Sequence, residues 1–390
     1  MKMKWLMSAG GAGIVITLLA CSDSASNDNR TPDGGMPSQD SGLDASQGHP
    51  DGGGDASSQD ASGQDASDGG SDASGNPVRC TAIPGTFPVP NCDDSAGRCT
   101  GTGCTIAASC GSPSTCLPMA DNAGKSTLDL RIRKLDIVSP PSLADAIIRS
   151  TVIDPNINLD AAQCGEKGTG SFNWLLRVDR TKGTVLTGGA PPSVDPFGKG
   201  FCFYRHRTVQ GIEVDPGQAN VTFSGNTFTS APIAKLAIPI FLRGDVTNAV
   251  VLPLTDAVIH EATLSDGNNC IGKFNPAALD NQCTEDPSEC AKWRTNAAIG
   301  GFITLEEADQ VPIVDLAESL CNVLTGTQPV GGKCPRDANG QLKLTDAQKG
   351  DFCSTTKQPG GCRDSSWLTA TFAASAVKIH DGAGVAECSR

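Results

Sequence analysis

The cysteine content constrains this chain more than any other feature. Of its 390 residues 17 are cysteines, and all but Cys21 lie beyond residue 79. These sixteen are Cys80, Cys92, Cys99, Cys104, Cys110, Cys116, Cys164, Cys202, Cys270, Cys283, Cys290, Cys321, Cys334, Cys353, Cys362 and Cys388. An even number suits a disulfide framework, although the spacing leaves the pairing open. A zinc site is disfavoured, because no Cys-x-x-Cys pair occurs and only four His are present.

The N-terminus has the layout of an export signal. Lys2 and Lys4 precede an apolar, Gly-rich run that ends at Ala20. The run is shorter and more interrupted than the about 20 apolar residues of a membrane-spanning helix. Its layout is typical of a secretory signal peptide over residues 1–20. Export to an oxidising compartment favours disulfides over free thiols.

Residues Leu18, Leu19, Ala20 and Cys21 resemble the lipobox of bacterial lipoproteins. The resemblance implies that the chain is cut before Cys21, which becomes the lipidated first residue, acylated on its thiol and on its new amino group. Two or more acyl chains hold a protein stably on a membrane. Ser22 follows the cysteine, and by the same resemblance it implies the outer membrane. The alternative is an ordinary signal peptide with a cysteine near the cut by chance.

Residues 21–78, called the stalk below, have the composition of a disordered linker. They contain eleven Asp against one Arg and no aromatic residue, and the triplet Asp-Ala-Ser recurs five times. Such a segment has too little apolar surface to offset its ordering entropy. The sequence therefore predicts a flexible acidic stalk that holds a domain off the membrane. Calcium binding by the repeats is the alternative, but the bidentate Glu of an EF-hand loop is missing.

The net charge of −13 comes mostly from the stalk. The rest of the chain is only mildly acidic and lacks the concentrated basic face that binding to nucleic acid requires. We therefore expect no nucleic-acid partner.

Two folded parts are predicted after the stalk. Residues 79–120 combine six cysteines with little apolar content, which predicts a small Cys-rich module closed by three bridges of its own. Residues 121–390 hold the other ten cysteines and form a larger domain. Whether the module folds independently stays open.

The larger domain carries the pattern of a β-rich fold. Strands are expected at 128–138, 172–179, 183–189, 201–209, 219–228 and 365–379, with a further β-rich run that contains two prolines at 233–265. Residues 140–153 predict a helix bounded by prolines. The predicted fold class is β-rich α+β, an antiparallel sheet or β-sandwich with two or three helices and several disulfides.

The strongest helix pattern lies at 304–326. Thr304 and Glu307 have the spacing of a capping box, and Gly326 suits the C-cap. The apolar stripe consists of Ile313, Leu316, Ala317, Leu320 and Leu324. Pro312 is expected to divide this helix into two pieces.

Motifs for catalysis are incomplete. There is no Gly-x-Ser-x-Gly elbow, and His206, His260 and His380 are expected to be surface or packed residues. His260 and Glu261 begin a zinc-protease motif, but position 264 is Leu where that motif requires His. No catalytic residue and no metal ligand is therefore assigned.

Two short matches are expected to be fortuitous. Ser354 and Lys357 fit the Ser-x-x-Lys motif of penicillin-binding enzymes, but the supporting elements are absent. Asp337 and Asn339 stand at the first and third positions of a calcium loop, but Leu342 occupies the sixth position, where the sharp turn needs Gly. Calcium is the one cofactor that stays open as an alternative.

Aromatic and basic residues give two further alternatives. Trp174, Trp293, Trp367 and Tyr204 are expected to be buried anchors, with a sugar platform as the alternative. Residues 205–207, Arg-His-Arg, are expected to be a solvated strand face, with an anion site as the alternative.

The combination of lipobox, stalk, Cys-rich module and β-rich domain resembles the Cys-rich surface lipoproteins of large-genome Gram-negative soil bacteria, and the resemblance implies no particular activity. We predict a lipid-anchored envelope or cell-surface lipoprotein with a non-enzymatic binding or structural role. Its expected partners are the membrane, through the anchor, and an extracellular ligand or envelope protein. The alternatives are a secreted-type hydrolase of extracellular polymers and a calcium-dependent adhesin or substrate-capture protein.

Overall fold

The fold is described from a computed structural model, which covers residues 83–88, 116–144, 170, 172–241, 249–274, 293–383 and 388. The predicted signal peptide, Cys21, the stalk and most of the Cys-rich module lie outside these residues. The strands are β1 (Thr127–Ser139), β2 (Asn173–Asp179), β3 (Thr184–Ala190), β4 (Arg207–Val209), β5 (Ile212–Val214), β6 (Gly217–Ser224), β7 (Thr227–Ser230), β8 (Ile233–Phe241), β9 (Ala249–His260), β10 (Ala262–Thr263), β11 (Cys270–Ile271), β12 (Lys273–Phe274), β13 (Trp293–Arg294), β14 (Ala298–Thr304), β15 (Pro312–Ile313), β16 (Glu318–Ser319), β17 (Phe352–Cys353), β18 (Gln358–Pro359) and β19 (Ser365–Ala376). The helices are α1 (Pro141–Ala144), α2 (Leu305–Ala308) and α3 (Leu320–Thr325).

One curled antiparallel sheet dominates the described part of the chain. Its strands run in the order β10–β7–β6–β3–β2–β1–β19–β14–β9–β8, with β11 and β17 added beside β19. The predicted β-rich α+β class is confirmed, with three short helices among the described residues. None of these described helices is long and apolar enough to cross a membrane.

The last predicted strand is the central one. All twelve residues of β19 are buried, because its inner face packs into the main core and its outer face is also covered. β1 and β14 flank it on either side. The inner face contributes Leu368, Ala370, Phe372, Ala374 and Ala376 to the core.

The two ends of the sheet approach each other. β9 continues through Glu261 into β10, which pairs with β7. Glycines line the seam where β8 lies against β3 and β6. A Cβ at Gly189 would overlap the ring of Pro239, and one at Gly217 would lie 2.6 Å from a methyl of Ile233. Only glycine permits this close approach.

The predicted 304–326 helix is interrupted, as Pro312 indicates. The capping box of Thr304 and Glu307 is present at α2, and Gly326 caps α3 in the left-handed conformation. Between the two helices, β15, a short 3-10 helix and β16 replace the continuous α-helix, so the apolar stripe across residues 313–317 is not α-helical. Pro312 cannot donate the helical hydrogen bond, and Ala317 is left-handed at φ 54°.

Two strand predictions need correction. Residues 202–206 are irregular, because Cys202 is tied to Cys388 and His206 is left-handed at φ 52°. Residues 219–228 are not one strand but parts of the β6–β7 hairpin, which turns at Gly225. The predicted helix at 140–153 is observed as α1 over its described part.

Four disulfides join described cysteines: Cys116–Cys270, Cys202–Cys388, Cys321–Cys334 and Cys353–Cys362. The prediction of three bridges confined to 79–120 is wrong, because Cys116 bonds to Cys270 in the larger domain. The Ser375 hydroxyl donates to the Cys116 carbonyl and the Met119 amide to the Ala376 carbonyl. Residues 116–119 are therefore part of the β-rich body.

Candidate functional site

An open groove lies on the outer face of the sheet, on the side opposite the main core. Its volume is about 390 Å³. Residues of β9, β14 and β19, together with Phe352 of β17, form its floor. The segment 83–88 and the rest of the β17–β18 hairpin form its sides. This cavity is called the aromatic groove below.

Three buried aromatic rings form the floor. Trp367 on β19 lies opposite Phe302 on β14, and residues opposite each other in a sheet share a face. Phe352 on β17 packs between them, with its ring centroid 5.0 Å from that of Trp367 and 5.2 Å from that of Phe302. Their mutual packing makes the floor apolar and rigid.

The segment 83–88, called the strap below, is held against this floor. The Trp367 indole N–H donates to the Thr86 carbonyl at 2.8 Å. Phe87 stacks on His260 at 4.6 Å between ring centroids and meets Trp367 edge-on at 5.8 Å. Gly300 lies beneath Phe87, and a Cβ there would be 3.0 Å from the Phe87 ring.

A charged pair stands at the edge of the groove. Lys357 Nζ is 2.6 Å from Asp256 Oδ2, and the side chains are 60% and 20% exposed. Both residues are left-handed, with φ of 55° for Lys357 and 49° for Asp256. Non-glycine residues in this conformation carry backbone strain, which is concentrated at functional sites. The pair thus combines a partly buried carboxylate with a mostly exposed ammonium group.

The remainder of the lining is uncharged. Among the described residues that line the groove, Asp256 and Lys357 carry the only charges, and most of the others are aromatic, aliphatic or proline. A mostly apolar cavity with a few placed polar groups is typical of small-molecule sites. This arrangement can hold a ligand with an apolar body and a charged end.

A buried carboxyl lies behind the floor. Asp351 Oδ1 accepts a hydrogen bond from the Trp367 amide at 2.8 Å. Burial raises the pKa of Asp351, and this effect outweighs the opposing effect of that hydrogen bond. Asp351 does not line the groove, so its role is to hold β19 against β17.

No protein family, curated protein or solved structure matches this chain. The function has to be argued from the residues of the site.

The structure separates the three histidines that the sequence singled out. His206 lies 3.2 Å from Asp215 Oδ1 on the surface, and His380 accepts a hydrogen bond from the Gly382 amide. His260 stacks on Phe87. These contacts involve a carboxylate, a backbone amide and an aromatic ring, and none of them involves a serine or cysteine nucleophile.

The Ser-x-x-Lys match does not form a nucleophile–base pair. The Ser354 hydroxyl donates a hydrogen bond to Asp364 at 2.6 Å, whereas Lys357 pairs with Asp256.

The segment that matches the start of a calcium loop forms a turn. The Asp337 carboxylate accepts hydrogen bonds from the amides of Asn339 and Gln341 at 2.8 and 2.9 Å.

Two clusters of Cys and Asp have metal-like spacing in the described part of the chain. One contains Asp309 with Cys321 and Cys334, and the other contains Asp364 with Cys353 and Cys362. In both, the sulfur atoms are joined in a disulfide. A disulfide offers no thiolate ligand, so neither cluster supports a metal site.

Three of the four aromatic candidates are core anchors. Trp174 donates to the Thr187 hydroxyl at 2.8 Å, Trp293 packs on Phe274, and Tyr204 packs on Phe241. Trp367 alone reaches the groove.

The basic triplet at 205–207 does not form one cationic cluster. Arg205 lies over the ring of Phe203 and Arg207 over the ring of Tyr204. A wider groove of about 760 Å³ lies nearby, beside the β4–β5 hairpin, and carries Glu213, Asp215 and Glu307. Its described lining contains no aromatic residue, so the aromatic groove is the stronger candidate.

Sequence reasoning missed four residues of the aromatic groove. Phe302 and Phe352 lie outside the predicted strands and helices, and Asp256 lies within the predicted β-rich run at 233–265. Phe87 is the only aromatic residue of the segment 79–120. That isolation among prolines and glycines was the one available signal of a docking side chain.

Proposed function

We propose that this protein is a lipid-anchored envelope protein whose β-rich domain binds an extracellular ligand in the aromatic groove. The observation that carries the binding role is the groove itself. It has a rigid aromatic floor, an otherwise apolar lining and one charged pair held in strained backbone. A binding site of this type needs no catalytic group.

The sequence supports the anchored part of this proposal. The lipobox ends at Cys21, and the stalk that follows it ends only a few residues before the strap. The strap forms one side of the aromatic groove. The chain therefore enters the domain beside its ligand site, and the outer membrane is the proposed location of the anchor.

The test is a thermal-melt screen of the full, oxidised chain. The panel contains free amino acids, fatty acids, aromatic acids and amines, oligosaccharides, peptidoglycan fragments and calcium. A ligand present at a hundred times its Kd stabilises by about 2.7 kcal/mol, which is a measurable shift. We expect one of the apolar classes to raise the Tm.

Two variants test whether that ligand binds in the aromatic groove. Val258→Trp fills the aromatic groove, since Val258 lines it, and is expected to abolish the shift. Thr208→Trp places the same ring on exposed strand β4 and is expected to keep the shift. A flat response to the whole panel, or a shift that persists in folded Val258→Trp, would contradict the proposed binding role.

A further inference from the structure

The charges of the aromatic groove restrict the ligand. Asp256 and Lys357 carry one charge of each sign and neutralise each other at 2.6 Å. A cationic ligand that pairs with Asp256 would leave Lys357 without its partner. An anionic ligand that pairs with Lys357 would leave Asp256 without its partner, and Asp256 is only 20% exposed. Leaving a partly buried charge unpaired is unfavourable.

A zwitterion avoids both losses. Its ammonium group replaces Lys357 on the carboxylate, and its carboxylate replaces Asp256 on the lysine. In a free amino acid these two groups are attached to the same carbon and so lie side by side. Lys357 Nζ and Asp256 Oδ2 are also adjacent. When such a ligand binds, the Asp256–Lys357 ion pair is therefore replaced by two ion pairs, one from each residue to the ligand.

We propose that the aromatic groove binds a free amino acid with a large apolar side chain. The α-ammonium group pairs with Asp256, the α-carboxylate pairs with Lys357, and the side chain lies on the floor that contains Trp367. This inference rests on the proposed binding role of the groove and specifies its ligand class.

The size of the site and the exposure of Lys357 agree with this ligand. About 390 Å³ lies at the lower end of the range of ligand cavities, as a single small ligand requires. Lys357 belongs to the short loop closed by the Cys353–Cys362 disulfide, and its side chain is 60% exposed. Asp256 stands in β9. The exposed lysine side chain is therefore the partner that the ligand displaces, and the carboxylate stays on the sheet.

Three probes with the same ring test the charge requirement: L-phenylalanine, which is zwitterionic, phenethylamine, which is cationic, and 3-phenylpropionate, which is anionic. Their Kd values are measured by calorimetry on the full, oxidised chain. We expect wild-type protein to bind L-phenylalanine at least tenfold more tightly than either analogue.

The two single substitutions are expected to produce opposite preferences between the anionic and the cationic analogue. Asp256→Asn should favour 3-phenylpropionate over phenethylamine, because only Lys357 remains charged. Asn also tolerates the left-handed backbone at this position. Lys357→Gln should favour phenethylamine over 3-phenylpropionate.

A matched pair of substitutions serves as the control. Lys349 and Asp346 form an exposed ion pair at 2.8 Å outside the groove, and Lys349→Gln and Asp346→Asn should retain the wild-type preference. Equal affinity for all three probes, unchanged by the groove variants, would overturn the inference and leave the groove as a binding site of another class. Failure of every probe to bind would also overturn it, while the comparison of Val258→Trp with Thr208→Trp would still decide the binding role.

Discussion

Replacing Cys116 and Cys270 together by serine is expected to lower the free energy of unfolding by up to about 5 kcal/mol. The bridge joins residues 154 positions apart, and a cross-link that closes a long loop removes much entropy from the unfolded chain. It also fixes residues 116–119 to β11, which pairs with β19, and the Met119 amide bonds to the Ala376 carbonyl of β19. Denaturant unfolding of the wild type and the double variant measures the difference.

The Cys353–Cys362 bridge is the matched control. Its cysteines are only 9 positions apart, so the same relation gives about 2.6 kcal/mol for their double replacement by serine. Equal losses for the two double variants would contradict the dependence on loop length.

Replacing Asp309 by alanine is expected to cost about 3 kcal/mol of folding stability. The Asp309 side chain is 2% exposed and pairs with Arg336 at 2.7 Å. It also accepts hydrogen bonds from the Ser319 hydroxyl at 2.9 Å and the Cys334 amide at 2.7 Å. Removing the carboxylate leaves these donors without an acceptor, which is the costly way to break a buried pair.

Glu306→Ala is the control for Asp309→Ala. It also removes an acidic partner of Arg336, but an exposed one. Glu306 pairs with the same guanidinium at 2.8 Å but is 52% exposed. An exposed pair contributes about 0–1 kcal/mol. Urea unfolding should therefore rank Asp309→Ala far below Glu306→Ala in stability, and similar losses would show that burial of Asp309 is unimportant.

The same carboxylate predicts a loss of stability in acid. Burial raises the pKa of Asp309, but hydrogen bonds from Cys334, Arg336 and Ser319 together lower it below its usual value. The folded pKa thus lies below that of an unfolded Asp, about 3.9. This stabilisation is complete above that pH and is lost as the pH falls through the folded pKa. The stability difference between wild type and Asp309→Asn should therefore shrink below about pH 4.

Local signals in the sequence predicted much of the fold. The strand predicted at 365–379 matches β19, and the Thr304–Glu307 capping box and the Gly326 cap are both present. These features depend on residues close in sequence. The bond between Cys116 and Cys270 depends on strand order instead, and no spacing rule could give it.

The candidate site could be predicted only in part, because it too depends on the order of the strands. His260, Lys357 and Trp367 were each singled out from the sequence, but as parts of unrelated motifs. They meet because β9, β14 and β19 are neighbours and the β17–β18 hairpin folds beside them. Asp256 and Phe87 become recognisable only once this neighbourhood is known.

Membrane partition of a Cys21→Ser variant decides most directly whether the β-rich domain is held on the proposed lipid anchor. Full-length wild-type protein and the variant are produced in a Gram-negative host, and the membrane and aqueous fractions are separated. We expect the wild type to be in the membrane fraction and the variant to move to the aqueous fraction, because the acylated thiol supplies the membrane affinity. A variant that partitions with the membranes as the wild type does would contradict the lipid anchor.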